Sequence, residues 1–431
     1  MEIEIDVEKV KMGMFVARLD RPWLGTPFAF QGFWVRNPDT IAHLRSYCSK
    51  VWIRTDKKGR ATDKEEPGDV DWKDRTMRAD REARVIDYLP QKPCEYADSA
   101  RVEDEIDEAQ AARKRLCDAL DEVVDDIKRE RKIAIAGLRD AVGGLTSSVL
   151  RNPDACMWLR LVKNRDSYTY YHLLDTSALA IAFGRHLGFS HAELADLGLG
   201  AMLIDIGKLK LPQDLITKTG RLTEAEQALT RRHVEYGLEL VSQAPGVNPR
   251  VLEIVGNHHE RYDGKGYPAG LAFRKIPPFA RMVAIADYFD AVTSDRPYAQ
   301  GITPHEAMRK LYDEAERAFQ RELVEQFIQC IGIYPTGTLV ELTSGEVGVI
   351  VGQNRVRRLK PRLMLVLDAA KRPLDPFVEL DLMEAEKTAG RDAPSIRRGV
   401  EPEQFGINPR QLYLSAERMA PQILAHLARL V

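Results

Sequence analysis

The spacing of apolar residues changes along the chain, and the first stretch has the pattern of strands. Residues 14–19 and 33–35 are short apolar runs separated by glycine and proline, which is typical of strands joined by turns. Apolar residues recur at helical spacing over residues 41–47, and residues 51–53 have the pattern of a closing strand. We therefore predict a small α+β domain over residues 1–56.

Residues 57–149 begin as a segment dense in charges of both signs, and we interpret this part as a mobile connector. A helix is predicted to follow, because apolar residues at spacings of four, three and four form one stripe: Leu116, Leu120, Val123 and Ile127. Two interpretations of this stripe are open. The helix packs within the N-terminal part of its own chain, or the stripe mediates a homodimer, in the strongest case as a coiled coil.

From residue 150 to residue 334 the pattern is almost wholly helical. After Pro335 the period becomes that of strands, with a Ser344-Gly345 turn, and we predict a small β module over residues 335–385. Residues 386–431 are predicted to be a tail with a helix. The fold class is therefore mainly α, with a helical core between two smaller units that contain strands.

Composition excludes several classes of function. The 431 residues include 63 lysines and arginines against 65 aspartates and glutamates, so no overall basic field exists to hold a nucleic-acid polymer. The five cysteines are scattered without a CxxC pair, which disfavours a disulfide framework and a thiolate zinc site. The acidic start is unlike a signal peptide, and no stretch approaches the roughly 20 apolar residues of a membrane span. We therefore expect a cytoplasmic protein without a transmembrane segment.

Six residues of the helical region have side chains suited to metal binding. Imidazole and carboxylate groups are preferred ligands of iron, manganese and zinc, and a catalytic site leaves positions open for water and substrate. Each residue alone has an ordinary explanation, because most helical histidines are hydrogen-bonded or exposed. The adjacent pair His258-His259, which precedes an Asp263-Gly264 turn, is harder to explain in this way. The six residues are His172, Asp205, His233, His258, His259 and Asp287.

The residues around this pair resemble the signature of a known family. His258-His259-Glu260 and Gly266-Tyr267-Pro268 are similar to the HHE and GYP motifs of the HD-GYP family of cyclic di-GMP phosphodiesterases. The N-terminal segment also resembles a domain of unknown function often found ahead of HD-GYP domains. Further matching residues follow the family's order, namely Asp205-Ile206-Gly207-Lys208, His233, Gly237, Asp287-Tyr288-Phe289-Asp290 and Asp295-Arg296-Pro297-Tyr298.

The resemblance implies a helical HD-type metallohydrolase core that hydrolyses cyclic di-GMP to pGpG or GMP. It also implies two divalent metal ions, iron or manganese. Asp205 would be catalytic, as the carboxylate that bridges the two ions. The matching ligands are His233, His258 and His259 for one ion, and His172 and Asp287 for the other.

The resemblance further implies a substrate site. Lys208 matches a catalytic residue that contacts the substrate phosphate, and Arg296 matches a second phosphate-binding cation. The Gly266-Tyr267-Pro268 loop would shape the pocket, because glycine permits close approach and proline adds rigidity.

The chain departs from the family pattern at positions that matter for this site. Ile204 replaces the histidine of the family's His-Asp pair, so the second ion should be held more weakly. Ala299 replaces a basic residue, which should weaken phosphate binding. Tyr168 stands where trinuclear relatives have a glutamate, so a third ion is not expected. Asp175, near His172 on one helical face, is more simply an exposed or supporting carboxylate than a substitute ligand.

Two functions are open at this point. One is a cyclic di-GMP phosphodiesterase with a weakened second metal site. The alternative is a catalytically impaired HD-GYP module that binds a nucleotide or a signalling protein, such as a diguanylate cyclase. Ile204 and Ala299 favour the alternative. The intact remainder of the site favours the enzyme, which we prefer because only one predicted ligand is lost.

Overall fold

The computed structural model describes residues 2–12, 14–20, 33–35, 38–54, 89–90, 92–160, 168–218, 220–294, 301–355 and 357–407. Most of the predicted connector and the predicted tail helix lie outside these residues, as do Arg296 and Ala299. Among the helices described, none combines the length and the apolar character needed to cross a membrane.

The N-terminal unit is an antiparallel sheet with one helix. Its elements are β1 (Glu2–Asp6), β2 (Phe15–Leu19), β3 (Phe33–Trp34), α1 (Pro38–Tyr47) and β4 (Lys50–Arg54). The strand order is β1-β4-β2-β3, so the acidic start of the chain forms an edge strand paired with β4. Val16, Leu44 and Val51 are fully buried in a core of its own.

Helices fill the middle of the chain. They are α2 (Val102–Lys128), α3 (Ala136–Arg151), α4 (Pro153–Leu159), α5 (Tyr168–Leu187), α6 (His191–Leu203), α7 (Gln213–Ile216), α8 (Glu224–Arg231), α9 (His233–Ser242), α10 (Pro249–Asn257), α11 (Pro278–Thr293), α12 (Pro304–Asp313) and α13 (Arg321–Ile331). Local sequence fixes several starts: α6 has a capping box from Ser190 and Glu193, and α10 and α11 have proline in the first turn. Phe183, Phe289 and Phe327 pack edge to face at the centre of the core.

Helix α2 belongs to this helical core. Leu116, Leu120 and Val123 are buried, and α2 packs against α3 and α4. A buried ion pair of 2.7 Å also joins Arg113 on α2 to Asp175 on α5. The stripe thus packs within its own chain, as one of the two interpretations expected, but its partners are the helices that follow, and α4 lies beyond the predicted N-terminal part. Because the apolar stripe is buried within the chain, it is not exposed for a coiled coil with a second chain.

A five-stranded antiparallel sheet follows the helices. Its elements are β5 (Leu339–Leu342), β6 (Val347–Gly352), β7 (Arg362–Leu367), β8 (Pro373–Asp381), α14 (Leu382–Ala389) and β9 (Ile396–Gly399). The strand order is β8-β7-β6-β5-β9, so the last strand pairs with the first. The sheet thus extends past residue 385 into the stretch predicted as a tail, because β9 is too short and too charged to have a strand pattern. The predicted fold class, a mainly α core with small strand-containing units before and after it, is confirmed.

Candidate metal centre

The predicted ligands lie where helices of the core begin or end. Asp205 lies just beyond α6, at the start of the 3-10 turn Ile206–Lys210. His233 is the first residue of α9, and His258 directly follows α10. Since α9 packs against both α10 and this turn, the side chains meet.

A close backbone contact fixes Asp205 beside α9. A Cβ atom on Gly207 would lie 2.0 Å from the carbonyl oxygen of His233 and 2.4 Å from the amide nitrogen of Gly237. Only glycine fits there, so the turn packs directly on the helix. As a result, Asp205 Oδ1 lies 3.5 Å from His233 Nε2.

Four of the predicted ligands form one cluster, in which one ligand atom of each lies within 4.8 Å of the others. Nδ1 of His233 donates to the Thr230 carbonyl oxygen at 2.7 Å, and Nδ1 of His258 donates to the Val255 carbonyl oxygen at 2.9 Å. Because a carbonyl oxygen only accepts, each Nε2 keeps its lone pair for a metal ion. The two Nε2 atoms are 3.5 Å apart. The cluster consists of Asp205, His233, His258 and His259.

Burial keeps these imidazoles neutral. It lowers the pKa of His258 to about 4 and lowers the pKa of both His233 and His259. Burial alone would raise the pKa of Asp205, but Lys208 and the neighbouring histidines outweigh it, so the pKa is lowered. At neutral pH the cluster therefore offers three neutral nitrogen donors and one carboxylate. This donor set fits a divalent iron, manganese or zinc ion.

The other two predicted ligands form a neighbouring group. His172 Nε2 is 2.9 Å from Asp287 Oδ1, and His172 Nδ1 is 2.8 Å from Asp290 Oδ2. Arg160 in turn lies 2.8 Å from Asp290 Oδ1. Burial lowers the pKa of His172, but the hydrogen bonds with the two aspartates outweigh it and raise the pKa to about 9. Asp290 thus orients the ring so that Nε2 faces Asp287.

Lys208 stands at the edge of the cluster. Its Nζ is 2.6 Å from Asp205 Oδ2, and 36 % of its side chain is exposed. A cation in this position is next to the ligand atoms and still open to solvent. The Lys208 ammonium group could therefore contact a phosphate group bound at the cluster.

The loop with Gly266, Tyr267 and Pro268 packs against the histidine pair. The Tyr267 ring lies 4.6 Å from the His259 ring, and the Arg231 guanidinium lies 5.1 Å from the Tyr267 ring. A Cβ atom on Gly266 would lie 2.5 Å from the His259 carbonyl oxygen, so the return of the loop requires glycine.

Glu260 holds the same loop from inside. Its buried carboxylate accepts hydrogen bonds from the backbone N–H groups of Ala269 at 2.8 Å and Leu271 at 2.9 Å. Because the carboxylate satisfies two buried donors, it ties the loop to the end of α10.

Family models and known proteins resemble this chain over most of its length. A family model described as an HD domain matches residues 154–323, and one described as a domain of unknown function, DUF3391, matches residues 2–138. The chain is 35 % identical over 389 residues to the cyclic di-GMP phosphodiesterase PA4108 of Pseudomonas aeruginosa, covering 89 % of this chain and 90 % of that protein. The chain belongs to the HD-GYP family. It is an HD-domain phosphodiesterase with the unknown-function domain ahead of its core, as the motifs predicted.

Other relatives match over a smaller part of the chain. The cyclic di-GMP phosphodiesterase response regulator RpfG of Xanthomonas campestris is 37 % identical over 171 residues, which is 39 % of this chain and 45 % of that protein. Among solved structures, Bd1817 of Bdellovibrio bacteriovorus, described as an HDG"Y"P protein, has a TM-score of 0.44 and 18 % identity. That match covers 76 % of this chain and 98 % of the other.

The positions at which this HD-GYP chain departs from the motif have different environments. Ile204 is fully buried among apolar residues of the helical core. Asp175 is also fully buried and pairs with Arg113, so of the two expectations for this residue, an exposed or a supporting carboxylate, the exposed one is wrong. The Tyr168 side chain lies outside the described residues, as does Ala299.

Two supporting residues had been given no role in the sequence analysis. Asp290 orients His172, and Glu260 holds the loop. Asp290 could have been found, because it lies three residues after Asp287 and so on the same face of α11. Nothing in the sequence marks the partners of Glu260, since they lie 9 and 11 residues away in an irregular loop.

Proposed function

We propose that this chain hydrolyses cyclic di-GMP to pGpG, GMP or both, using two divalent metal ions, iron or manganese. The observation that carries the proposal is the cluster of three histidines around the Asp205 carboxylate. The names of the relatives supply the substrate class.

Each protein group has a proposed part in the reaction. Asp205 would be a ligand of both ions, and His233, His258 and His259 would complete the ligands of one of them. When bound, such ions acidify water and neutralise charge on phosphoryl oxygens. Lys208 binds a phosphate oxygen of the substrate and stabilises the charge that develops there. Arg296, which lies outside the described residues, is proposed as a second phosphate contact, and Tyr267 with its loop forms the pocket wall.

The second ion is proposed to be held weakly. Its protein ligands would be His172, Asp287 and the shared Asp205. Ile204 offers no donor atom, so water must complete this set. Asp290 supports the set by fixing the ring of His172 at 2.8 Å.

The buried isoleucine also favours one alternative. A site that has exchanged a ligand for apolar packing could bind a nucleotide, or a signalling protein such as a diguanylate cyclase, without turnover. We rank this second because the other predicted ligands are intact. In either case we propose a cytoplasmic location, where this second messenger is found.

Metal content and turnover measured together test the proposal. We expect wild-type protein to keep one equivalent of metal through extensive dialysis and to gain activity with excess manganese. Ile204→His should raise metal occupancy and the rate of cyclic di-GMP hydrolysis together, because an imidazole replaces one water. Asp205→Ala and His259→Ala should abolish both.

A control variant tests whether the changes in metal content and rate are specific to the site. His191→Ala, at an exposed position on α6, should change neither metal content nor rate. Two equivalents that survive dialysis of the wild type would contradict the weak second site. If Ile204→His binds two ions and still hydrolyses nothing, the binding module replaces the enzyme as the function.

A further inference from the structure

A cavity of about 520 Å³ lies between the N-terminal unit and the helical core, away from the metal ligands. It is lined by the end of α1, the segment around residues 93–96, and the C-terminal end of α5, together with residues of α4, α13 and the loop after β6. This volume falls within the range of about 300–1,000 Å³ typical of small-molecule sites.

Arginines form the inner wall of this junction cavity. Arg185 lies 2.8 Å from Asp98, and Arg355 lies 3.0 Å from Asp98 and 2.7 Å from Asp154. Arg358 is 8 % exposed and donates a hydrogen bond to the carbonyl oxygen of Cys330 at 3.0 Å. Two buried arginines and the half-buried Arg355 are therefore concentrated at one cavity, which makes it a candidate site for an acidic ligand.

The inner wall has an excess of positive charge. Burial and then Arg355 lower the pKa of Arg358 to about 10, so it stays protonated at neutral pH. Burial and then Arg358 lower the pKa of His186 to about 3, so this imidazole adds no charge. Three guanidinium groups therefore face two carboxylates, those of Asp98 and Asp154. Three further acidic residues line the cavity, namely the exposed Glu95 and the half-buried Glu322 and Glu325.

One buried donor in this wall lacks a partner. Nε of Arg185 makes no hydrogen bond to any of the described residues, although the side chain is 93 % buried. An unsatisfied buried N–H destabilises the folded state, and a ligand acceptor could satisfy this one only after the Arg185 side chain moves toward the cavity. The rest of the cavity is mostly apolar, with contributions from Tyr47, Leu89, Pro93, Tyr96, Met157 and Ile331.

We propose that the junction cavity is a second ligand site, which binds a small organic anion. The acidic group of this ligand contacts the arginine wall, and its apolar body packs against the tyrosines and aliphatic side chains. The site is built from the N-terminal unit and the core together, so its ligand would hold the two units in one arrangement.

Helix α5 connects the junction cavity with the metal ligands. It carries His172 near its start and both Arg185 and His186 near its end, about 20 Å further along at 1.5 Å per residue. A ligand that draws Arg185 inward therefore acts on the element that positions His172. The coupling rests on the proposed function through the metal ligand His172, whereas binding at the cavity does not.

A matched pair of fluorescent probes tests the site in the full chain. Anilinonaphthalene sulfonate has an aromatic body and one acidic group, and phenylnaphthylamine has a similar body without it. We expect the sulfonate to bind the wild type at least about tenfold more tightly, because a charge-assisted hydrogen bond is worth about that factor. Arg358→Met should remove this preference. Arg129→Met, which changes an exposed arginine at the end of α2, should keep it.

Alkylation of cysteine locates the bound probe. Cys94 lines the cavity and is exposed, whereas Cys48, Cys156 and Cys330 are buried. The sulfonate should therefore protect Cys94 from iodoacetamide and leave the labelling of the half-buried Cys117 unchanged. This measurement needs no variant, so it decides the matter even if Arg358→Met does not fold. Equal binding of the two probes, or full labelling of Cys94 at saturation, overturns the site.

The coupling has its own readout. Thermodynamic linkage is reciprocal: if the cavity ligand changes the affinity of the protein for manganese, manganese changes the affinity for the cavity ligand by the same factor. We expect a shift of severalfold in the sulfonate dissociation constant when manganese is added. If Cys94 is protected but manganese shifts nothing, the cavity binds its ligand without regulating the metal centre. Loss of turnover with normal probe binding would instead count against the proposed function alone.

Discussion

Ile204 occupies the position at which we expect the family's ligand histidine, and here it serves packing. The residue is fully buried, and burial of an aliphatic side chain stabilises a fold by about 1.5–3 kcal/mol. A histidine at this position gives up part of that contribution unless its nitrogen finds a partner. The stability of the fold and the number of metal ligands therefore compete at this residue.

This competition predicts a metal-dependent stability for Ile204→His. Without metal, the variant should lose about 1–3 kcal/mol in its free energy of unfolding, because it buries an unpaired polar ring. Added manganese should restore more stability to the variant than to the wild type, since binding to the folded state stabilises it. Urea denaturation with and without manganese measures both effects. An equal manganese effect in the two proteins would show that position 204 does not reach the ion.

Asp290 acts on the metal site through another residue. Its carboxylate lies between Nδ1 of His172 and the guanidinium of Arg160, 2.8 Å from each. Carboxylates in this position fix the orientation of a ligand histidine and increase its basicity. We therefore propose Asp290 as a positioning residue for the weaker of the two proposed metal positions.

We predict that Asp290→Asn lowers the affinity for the second manganese ion by roughly 10- to 100-fold. The tightly held ion should remain, because its ligands do not contact Asp290. Manganese titration followed by calorimetry measures both affinities, and turnover should recover at high manganese. Asp214→Asn, an exposed residue of α7, is the control. A loss of activity that manganese cannot rescue would indicate a different role.

At the scale of elements, the helices over residues 150–334 could be predicted because the helical period is a local pattern. The candidate ligands lie in separate segments, so their grouping was predicted from the resemblance to a family and not from local spacing. Strand β9 could not be found, since Arg397 and Arg398 occupy half of its four residues. The partners of α2 also escaped prediction, because an apolar stripe shows that a helix is buried but not against what. The junction cavity, assembled from distant segments, leaves no sequence pattern.

The loop at the metal centre depends on one carboxylate, which gives a test at this scale. Glu260→Gln offers one acceptor oxygen for the N–H groups of Ala269 and Leu271, so one of them loses its partner. We expect a loss of about 1–3 kcal/mol in loop stability. Trypsin should then cleave faster after Lys265, which is exposed in this loop. Glu253→Gln, at an exposed position of α10, should not change the rate of cleavage. Equal cleavage of both variants would contradict the role of Glu260.

At the scale of the whole molecule, one apolar core joins the helices to the second sheet. It extends from Val102 on α2 to Val400 after β9, whereas the N-terminal sheet has a separate core. Helix α2 follows the N-terminal unit in sequence and yet packs with the helices that carry the metal ligands. A ligand in the junction cavity would thus contact both cores.

This arrangement predicts that the α2 stripe supports folding and does not hold two chains together. Leu120 is 2 % exposed, so Leu120→Asp places a carboxylate among apolar side chains. Removal of a buried leucine side chain alone costs about 2–5 kcal/mol, and the buried charge adds to it. We therefore expect the urea midpoint of helical unfolding to fall sharply, with no change in the molecular mass of the folded fraction by light scattering. Gln110→Asp introduces the same side chain at an exposed position of α2 and should leave the midpoint within experimental error. If Leu120→Asp instead halves the molecular mass and leaves the unfolding transition unchanged, the stripe is a dimer surface. Helix α2 would then pack against a second chain and not against α3 and α4 of its own chain.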